Sequence, residues 1–117
     1  MAGTGRGPTP TDYFVSAVAL CENVIFARTA AMNDLDLEAL ETTVIGSWDL
    51  KGLYEIGGAD SCFRSVLVET RVRTLGPVEK VVEVARQTHR RCPVHQTLRK
   101  ATDLSFRLFV NDSEIGL

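Results

Sequence analysis

Three cysteines and two histidines are the side chains of this 117-residue sequence that could carry nucleophilic, redox or metal chemistry. Cys21 lies inside an apolar stretch and Cys62 follows a glycine-rich turn. Each of these two is, by itself, typical of a small side chain with no chemical role. Cys92 stands between His89 and His95, so the sequence directs attention to that segment first.

Cys92 directly precedes Pro93, and proline favours the first position of a helix. Cys92 is therefore predicted to be the N-cap, where free backbone N–H groups and the helix dipole stabilise a thiolate. The positive charges of Arg90 and Arg91 would lower the thiol pKa in the same direction. Cys-Pro also begins helices that have no chemical role, so local sequence leaves a reactive and an inert Cys92 both open.

The Cys92-x-x-His95 spacing is half of a zinc-binding pattern. A second C-x-x-C or H-x3-H pair is missing, so the sequence predicts no metal site and no cofactor. A Cys–His nucleophilic pair or an acyl-transfer site would need an orienting third residue, and none is evident. We expect His89 and His95 to be exposed helix residues.

Composition restricts the class of protein. Hydrophobic residues make up 44% and charged residues 24%, as in one ordinary globular domain. The net charge of −2 argues against a nucleic-acid partner. A cluster of basic residues around the third predicted helix is interpreted as a solvated face, or as a source of positive electrostatic potential near Cys92. That cluster comprises Arg86, His89, Arg90, Arg91, Arg99 and Lys100. The longest apolar run is nine residues, so we expect no membrane span and no membrane partner. An odd cysteine count without a visible leader favours a reducing, cytoplasmic location.

A long helix should begin after Thr9, because Thr9-Pro10-Thr11-Asp12 supplies an N-cap, a proline at the first helical position and an acid at the third. From there to Met32 the sequence is apolar on nearly every face, which is typical of a buried helix.

Alternating and Thr/Val/Ile-rich segments predict strands over residues 40–48, 63–75 and 104–110, and amphipathic segments predict helices over 78–90 and 93–100. Gly46 should mark a bulge or a close approach. The order of elements predicts an α+β fold, with a long buried central helix packed against an antiparallel sheet. Residues 1–8 should be a flexible segment and residues 9–117 a single domain.

Two segments together resemble the OsmC/Ohr family of osmotically induced and organic hydroperoxide resistance proteins. Residues 7–14 (GPTPTDYF) and 17–21 (AVALC) resemble the family's Gly-Pro-x-Pro run that leads to a cysteine. Residues 91–95 (RCPVH) are similar to its second cysteine motif, a Cys-Pro that opens a helix. The resemblance covers residues 7 to about 110.

The resemblance implies an intertwined homodimer in which two central helices are buried together. It implies that Cys21 is the peroxidatic residue, which becomes a sulfenic acid, and that Cys92 is the resolving residue. A dithiol reductant would clear the resulting disulfide, and Asp12 is a candidate orienting acid. The substrate implied is an organic hydroperoxide, because the cysteine of the helix has apolar surroundings.

Two features depart from the family pattern. Peroxidases of the family pair the thiolate with an arginine from N-terminal strands that we expect to be absent here, where only Arg6 precedes the helix. Thr11 stands where those peroxidases carry a glutamate, and Asp12 matches a sister branch. We therefore carry two hypotheses: thiol-dependent reduction of organic hydroperoxides, and a non-catalytic OsmC-like dimer that serves as a stress-response or small-ligand-binding protein.

Overall fold

A computed structural model describes residues 4–117, and residues 4–8 are irregular and exposed. The predicted flexible segment 1–8 stays a prediction, and its first three residues lie outside the described part. The elements, in chain order, are helix α1 (Pro10–Met32), strand β1 (Ala39–Trp48), helix α2 (Leu50–Leu53), strand β2 (Phe63–Arg73), helix α3 (Val78–Arg91), helix α4 (Pro93–Leu98), strand β3 (Asp103–Val110) and strand β4 (Ser113–Ile115).

Helix α1 begins at the residue that the sequence predicts. The Thr9 side chain accepts from the Asp12 backbone N–H at 3.3 Å, and the Asp12 carboxylate accepts from the Thr9 backbone N–H at 2.7 Å. This reciprocal pair is a capping box, which satisfies backbone donors that have no partner inside the helix. The predicted N-cap, the proline at the first turn and the acid at the third position are therefore confirmed.

The sheet has four strands in the order β1-β2-β3-β4. The α+β class is confirmed, but the expectation of an antiparallel sheet is wrong for one pair. Strand β2 runs antiparallel to β1 and parallel to β3, which pairs antiparallel with β4. The parallel pair arises because α3 and α4 form a crossover between β2 and β3, and a parallel connection needs such a crossover.

The core lies between α1, α3 and the inner face of the sheet. On β2 the buried side chains alternate with exposed or half-buried ones, as the sequence predicts. The buried cluster brings Phe26 of α1 together with Val81 and Val84 of α3 and Leu108 of β3. This packing fixes α1 and α3 side by side, and so fixes the residues that each helix directs toward the other.

Gly46 allows α1 to approach β1 closely. A Cβ at Gly46 would lie 2.6 Å from the Phe63 ring and 2.9 Å from Val15. Any larger residue would therefore require the side chains of Phe63 and Val15 to move. The predicted close approach is confirmed.

One face of α1 is exposed, against the expectation of a helix buried on all sides. We call this face the outer stripe; it comprises Tyr13, Ala17, Leu20, Val24, Ala27 and Ala31. Leu20 is 67% and Tyr13 is 64% exposed, and no member of the stripe is charged. The helix covers the sheet with its opposite face, so a single chain leaves the outer stripe uncovered.

Helix α1 is also long and apolar enough to cross a membrane by length and composition, which the sequence analysis did not expect. The core helix of a globular protein passes the same test. In this fold α1 packs against β1, α3 and α4, and Val18, Phe26 and Ala30 are buried there. These contacts make α1 the central helix of a domain core.

Candidate dithiol site

The two cysteines with the longest separation along the chain meet in space. Cys21 lies near the middle of α1, and Cys92 joins the end of α3 to the start of α4. The Cys92 thiol donates toward the Cys21 sulfur at an Sγ–Sγ distance of 3.4 Å. Both cysteines are free, Cys21 partly exposed and Cys92 fully buried. The pair therefore offers one thiol that small molecules can reach and a second one behind it.

Cys92 is the N-cap of α4, as predicted, and its sulfur accepts from the backbone N–H of His95 at 3.4 Å. The expected lowering of its pKa is wrong. Burial raises the pKa of Cys92 to about 12, with the Glu22 carboxylate acting in the same direction, and the His95 N–H opposes this rise only in part. Desolvation of a completely buried thiol thus outweighs the helix N-terminus.

The basic side chains before Cys92 do not supply the expected positive charge. Arg90 forms an ion pair with Glu83 at 3.3 Å, and Arg91 donates to the Met32 sulfur at 3.6 Å. Both arginines lie on the exposed face of α3. Although Arg90 and Arg91 are next to Cys92 in sequence, helix α3 therefore directs their charges away from the Cys92 thiol.

A buried polar cluster lies next to the two thiols, and the sequence analysis missed it. Glu22 is 2% and His95 9% exposed, and His95 Nδ1 lies 2.7 Å from Glu22 Oε1. The His89 ring stacks on the His95 ring with centroids 4.4 Å apart, and it forms a T-shaped contact with the Phe106 ring at 4.0 Å. The expectation of two exposed histidines is wrong. The signal in the sequence was Glu22, an acid in the middle of an otherwise apolar helix.

His89 is held neutral in this cluster. Burial and, to a smaller extent, the neighbouring His95 lower the pKa of His89 to about 4, although Glu22 acts in the opposite direction. Its Nε2 atom is buried and has no hydrogen-bond partner within residues 4–117. A buried imidazole nitrogen without a partner is uncommon in folded proteins.

An apolar groove of about 300 Å³ opens beside the thiol pair. Its lining comes from α1 and α4: Phe14, Pro93, Val94, Thr97 and Leu98. Phe14 and Cys21 are seven residues apart on α1 and therefore lie on the same side of the helix. The groove surface is mainly apolar, and its lining reaches the dithiol region at Pro93, the residue directly after Cys92.

Within residues 4–117, Asp12 and Cys62 donate or accept no hydrogen bond to or from the dithiol. Asp12 hydrogen-bonds Thr9, and nine residues of helix place it about 13 Å from Cys21 along the axis. Within one chain Asp12 therefore orients the helix cap, and its predicted catalytic role stays a prediction. Cys62 is exposed in the segment before β2.

These features define a class of α+β proteins with a paired dithiol. A long helix crosses a mixed sheet, and its cysteine lies next to a second cysteine at the N-terminus of a later helix. A family model described as OsmC-like protein matches residues 3–107. The chain belongs to the OsmC-like family, as its two cysteine motifs predicted.

Solved structures agree with this assignment at the level of the fold. An OsmC-like protein from Mycoplasma pneumoniae superposes with a TM-score of 0.81 at 18% identity, covering 92% of this chain and 74% of its own. An organic hydroperoxide resistance protein from Legionella pneumophila superposes with a TM-score of 0.72 at 19% identity. The match covers 93% of this chain and 74% of that protein. The organic hydroperoxide resistance protein OhrB of Bacillus subtilis superposes with a TM-score of 0.59 at 22% identity. The match covers 87% of this chain and 70% of that protein. A comparison with curated protein sequences gave no significant match.

Proposed function

We propose that this protein reduces organic hydroperoxides with Cys21 and Cys92 as its redox pair, in a reducing, cytoplasmic compartment. Membership of the OsmC-like family and structural neighbours named for organic hydroperoxide resistance support the reaction class. The observation that carries the proposal is the 3.4 Å between the two sulfurs. A disulfide bond is about 2.05 Å long, so the sulfurs need to approach by only about 1.4 Å to form one.

The reaction balances in three steps. The Cys21 thiolate attacks the O–O bond of a hydroperoxide, takes up one oxygen as a sulfenic acid and releases the alcohol after protonation. Cys92 then attacks the sulfenic sulfur; the S–S bond forms, and the hydroxyl leaves as water with the Cys92 proton. A dithiol reductant returns both cysteines to thiols by exchange and leaves as its own disulfide.

The different burial of the two thiols fits this division of labour. Cys21 is partly exposed and can meet a substrate, whereas Cys92 is fully buried and cannot. Cys92 lies within reach of a sulfenic acid on Cys21, so the disulfide can form before a second peroxide oxidises Cys21 further. The apolar groove beside the pair fits the carbon skeleton of an organic peroxide better than it fits hydrogen peroxide.

We also propose that the working unit is a homodimer joined along the outer stripe of α1. An uncharged stripe with Leu20 67% and Val24 49% exposed is too apolar to face water in a stable monomer. The radius of gyration, 16.4 Å, exceeds the roughly 13 Å of a compact chain of this length. A second copy would cover the stripe by the same self-complementary contact on both subunits.

A peptide-mass experiment tests the redox pair. Brief treatment of the reduced protein with cumene hydroperoxide should produce a Cys21–Cys92 disulfide that dithiothreitol reverses. The variant Cys62→Ser should form the same disulfide, because Cys62 lies outside the site. If Cys21 stays reduced in folded protein while peroxide is present in excess, the proposal is wrong.

A second candidate function is a dimeric module that binds a small apolar ligand without turnover. The specific observation in its favour is that, across residues 4–117, no arginine or lysine donates a hydrogen bond to either thiol. Under this alternative the protein is inert to hydroperoxides, and an apolar ligand raises its melting temperature.

A further inference from the structure

Three helices bring Glu22, His89 and His95 together next to the dithiol. Glu22 comes from α1, His89 from α3 and His95 from α4. One potential ligand atom from each residue lies within 4.8 Å of the other two. From this convergence we propose that Glu22, His89 and His95 form a binding site for a divalent transition-metal ion, with zinc as the best match.

Burial distinguishes this cluster from a group of surface side chains. Glu22 and His95 are 2% and 9% exposed, and His89 Nε2 is buried without a hydrogen-bond partner in the described chain. A buried carboxylate is costly unless it is paired, and the Glu22–His95 contact supplies one partner only. In the tautomer protonated at Nδ1, His89 presents a lone pair at Nε2, and coordination of a metal ion would give this atom a partner.

The set of donors selects the class of metal. Two imidazoles and one carboxylate are the ligands of many zinc sites that keep a fourth position open. Magnesium and calcium prefer sites made of oxygen ligands, so two nitrogen donors disfavour both. The site would hold an ion through three protein atoms and leave one coordination position for water or a small anion.

Coordination requires a small rearrangement of the two rings. The imidazoles are stacked with an angle of 14° between their planes, whereas a metal ion lies near the plane of each ring that binds it. Rotation of His89 or His95 about its last side-chain bond would direct a nitrogen from each ring to one point. Glu22 would then bind the metal in place of its contact with His95 Nδ1 at 2.7 Å.

The proposed site is separate from the thiol pair, and it does not depend on the proposed peroxidase activity. Cys92 accepts from the backbone N–H of His95, so the imidazole of His95 is not engaged by the thiol. The sequence pattern predicts no metal site, because Cys92-x-x-His95 has no second ligand pair of zinc-binding spacing in the chain. The fold instead supplies Glu22 from a helix seventy residues upstream of Cys92.

Metal titration of the 117-residue chain, reduced and stripped of metal, tests the proposal. Calorimetric titration with Zn²⁺ should give one equivalent per chain, and Co²⁺ should give visible d–d absorption of low-symmetry coordination without a thiolate-to-cobalt charge-transfer band. Glu22→Gln, His89→Gln and His95→Gln should each weaken Zn²⁺ binding by at least about ten-fold. The control Glu83→Gln, on the exposed face of α3, should bind like the wild type.

Each contrary result overturns the proposal. Wild-type protein that binds no Zn²⁺, or folded Glu22→Gln that binds as tightly as wild type, excludes the site. A thiolate-to-cobalt band that disappears in Cys92→Ser would assign the metal to sulfur. The wild-type titration and the cobalt spectrum decide the question even if a variant fails to fold. A failed peroxide assay leaves the metal site unaffected, so the two proposals fail separately.

Discussion

At the scale of single residues, the chemistry of Cys92 is set by what surrounds it in space more than by its neighbours in sequence. The N-cap position was predictable, because Cys-Pro carries a local signal for a helix start. The effect on its pKa was not, since complete burial and the proximity of Glu22 are tertiary facts. Adjacent arginines gave a misleading signal, because α3 directs them to solvent.

Alkylation of the reduced protein should therefore separate the cysteines. At pH 8 iodoacetamide should modify exposed Cys62 at least about ten-fold faster than Cys92, because Cys92 is buried and its raised pKa leaves little thiolate. Raising the pH toward 10 increases the thiolate fraction of Cys92 but leaves it a small part of the total, so its modification should stay slow. Peptide mass spectrometry over time measures the rates.

The control for this experiment is protein unfolded in urea, where all three thiols should react at similar rates. If Cys92 in the folded protein reacts as fast as Cys62, then the Cys92 side chain is not buried and the pKa of its thiol is not raised. The division of labour between an accessible and a protected thiol would then have no basis.

At the scale of elements, helices and strands with strong periodic or capping signals were predictable. Helix α1 begins at its capping box, and the alternation along β2 separates its buried and exposed faces. Helix α2 and strand β4 were missed because four and three residues carry too little periodicity. The parallel β2–β3 pairing was missed because it depends on where a two-helix crossover returns the chain.

The groove between α1 and α4 should determine preference among peroxides. Val94→Asp places a charge on its apolar lining and should lower the rate with cumene hydroperoxide relative to hydrogen peroxide by about ten-fold or more. Stopped-flow or coupled assays with the two peroxides give this ratio. Ala101→Asp adds the same charge at an exposed position outside the groove and should leave the ratio unchanged.

An unchanged ratio in folded Val94→Asp would show that the groove does not bind the peroxide. A loss of rate with both peroxides to the same extent would point to damage at the Cys92 cap, since Val94 is two residues away from it.

At the scale of the whole molecule, the single chain leaves an apolar face of its longest helix exposed. The 23-residue helix α1 is buried on one side only, and the molecule extends 50 × 30 × 25 Å. The sequence predicted the apolar character of nearly every face of α1, but a single chain leaves the outer stripe exposed. An apolar helix face in a sequence indicates that this face will be buried. It does not indicate whether the same chain or a partner covers it.

A second copy of the chain should be that partner, and Leu20→Glu should separate the two. Sedimentation equilibrium of the wild type should give twice 12.8 kDa. Because a symmetric interface contains the substitution twice, Leu20→Glu should raise the dimer dissociation constant by on the order of a hundred-fold. Arg86→Glu, which puts the same side chain on the exposed face of α3, should leave the dimer intact. Wild-type protein that sediments as a monomer at micromolar concentration, or Leu20→Glu that remains as tight a dimer, would contradict an interface along the outer stripe. In either case the exposed apolar face of α1 would have to be covered by something other than its own copy.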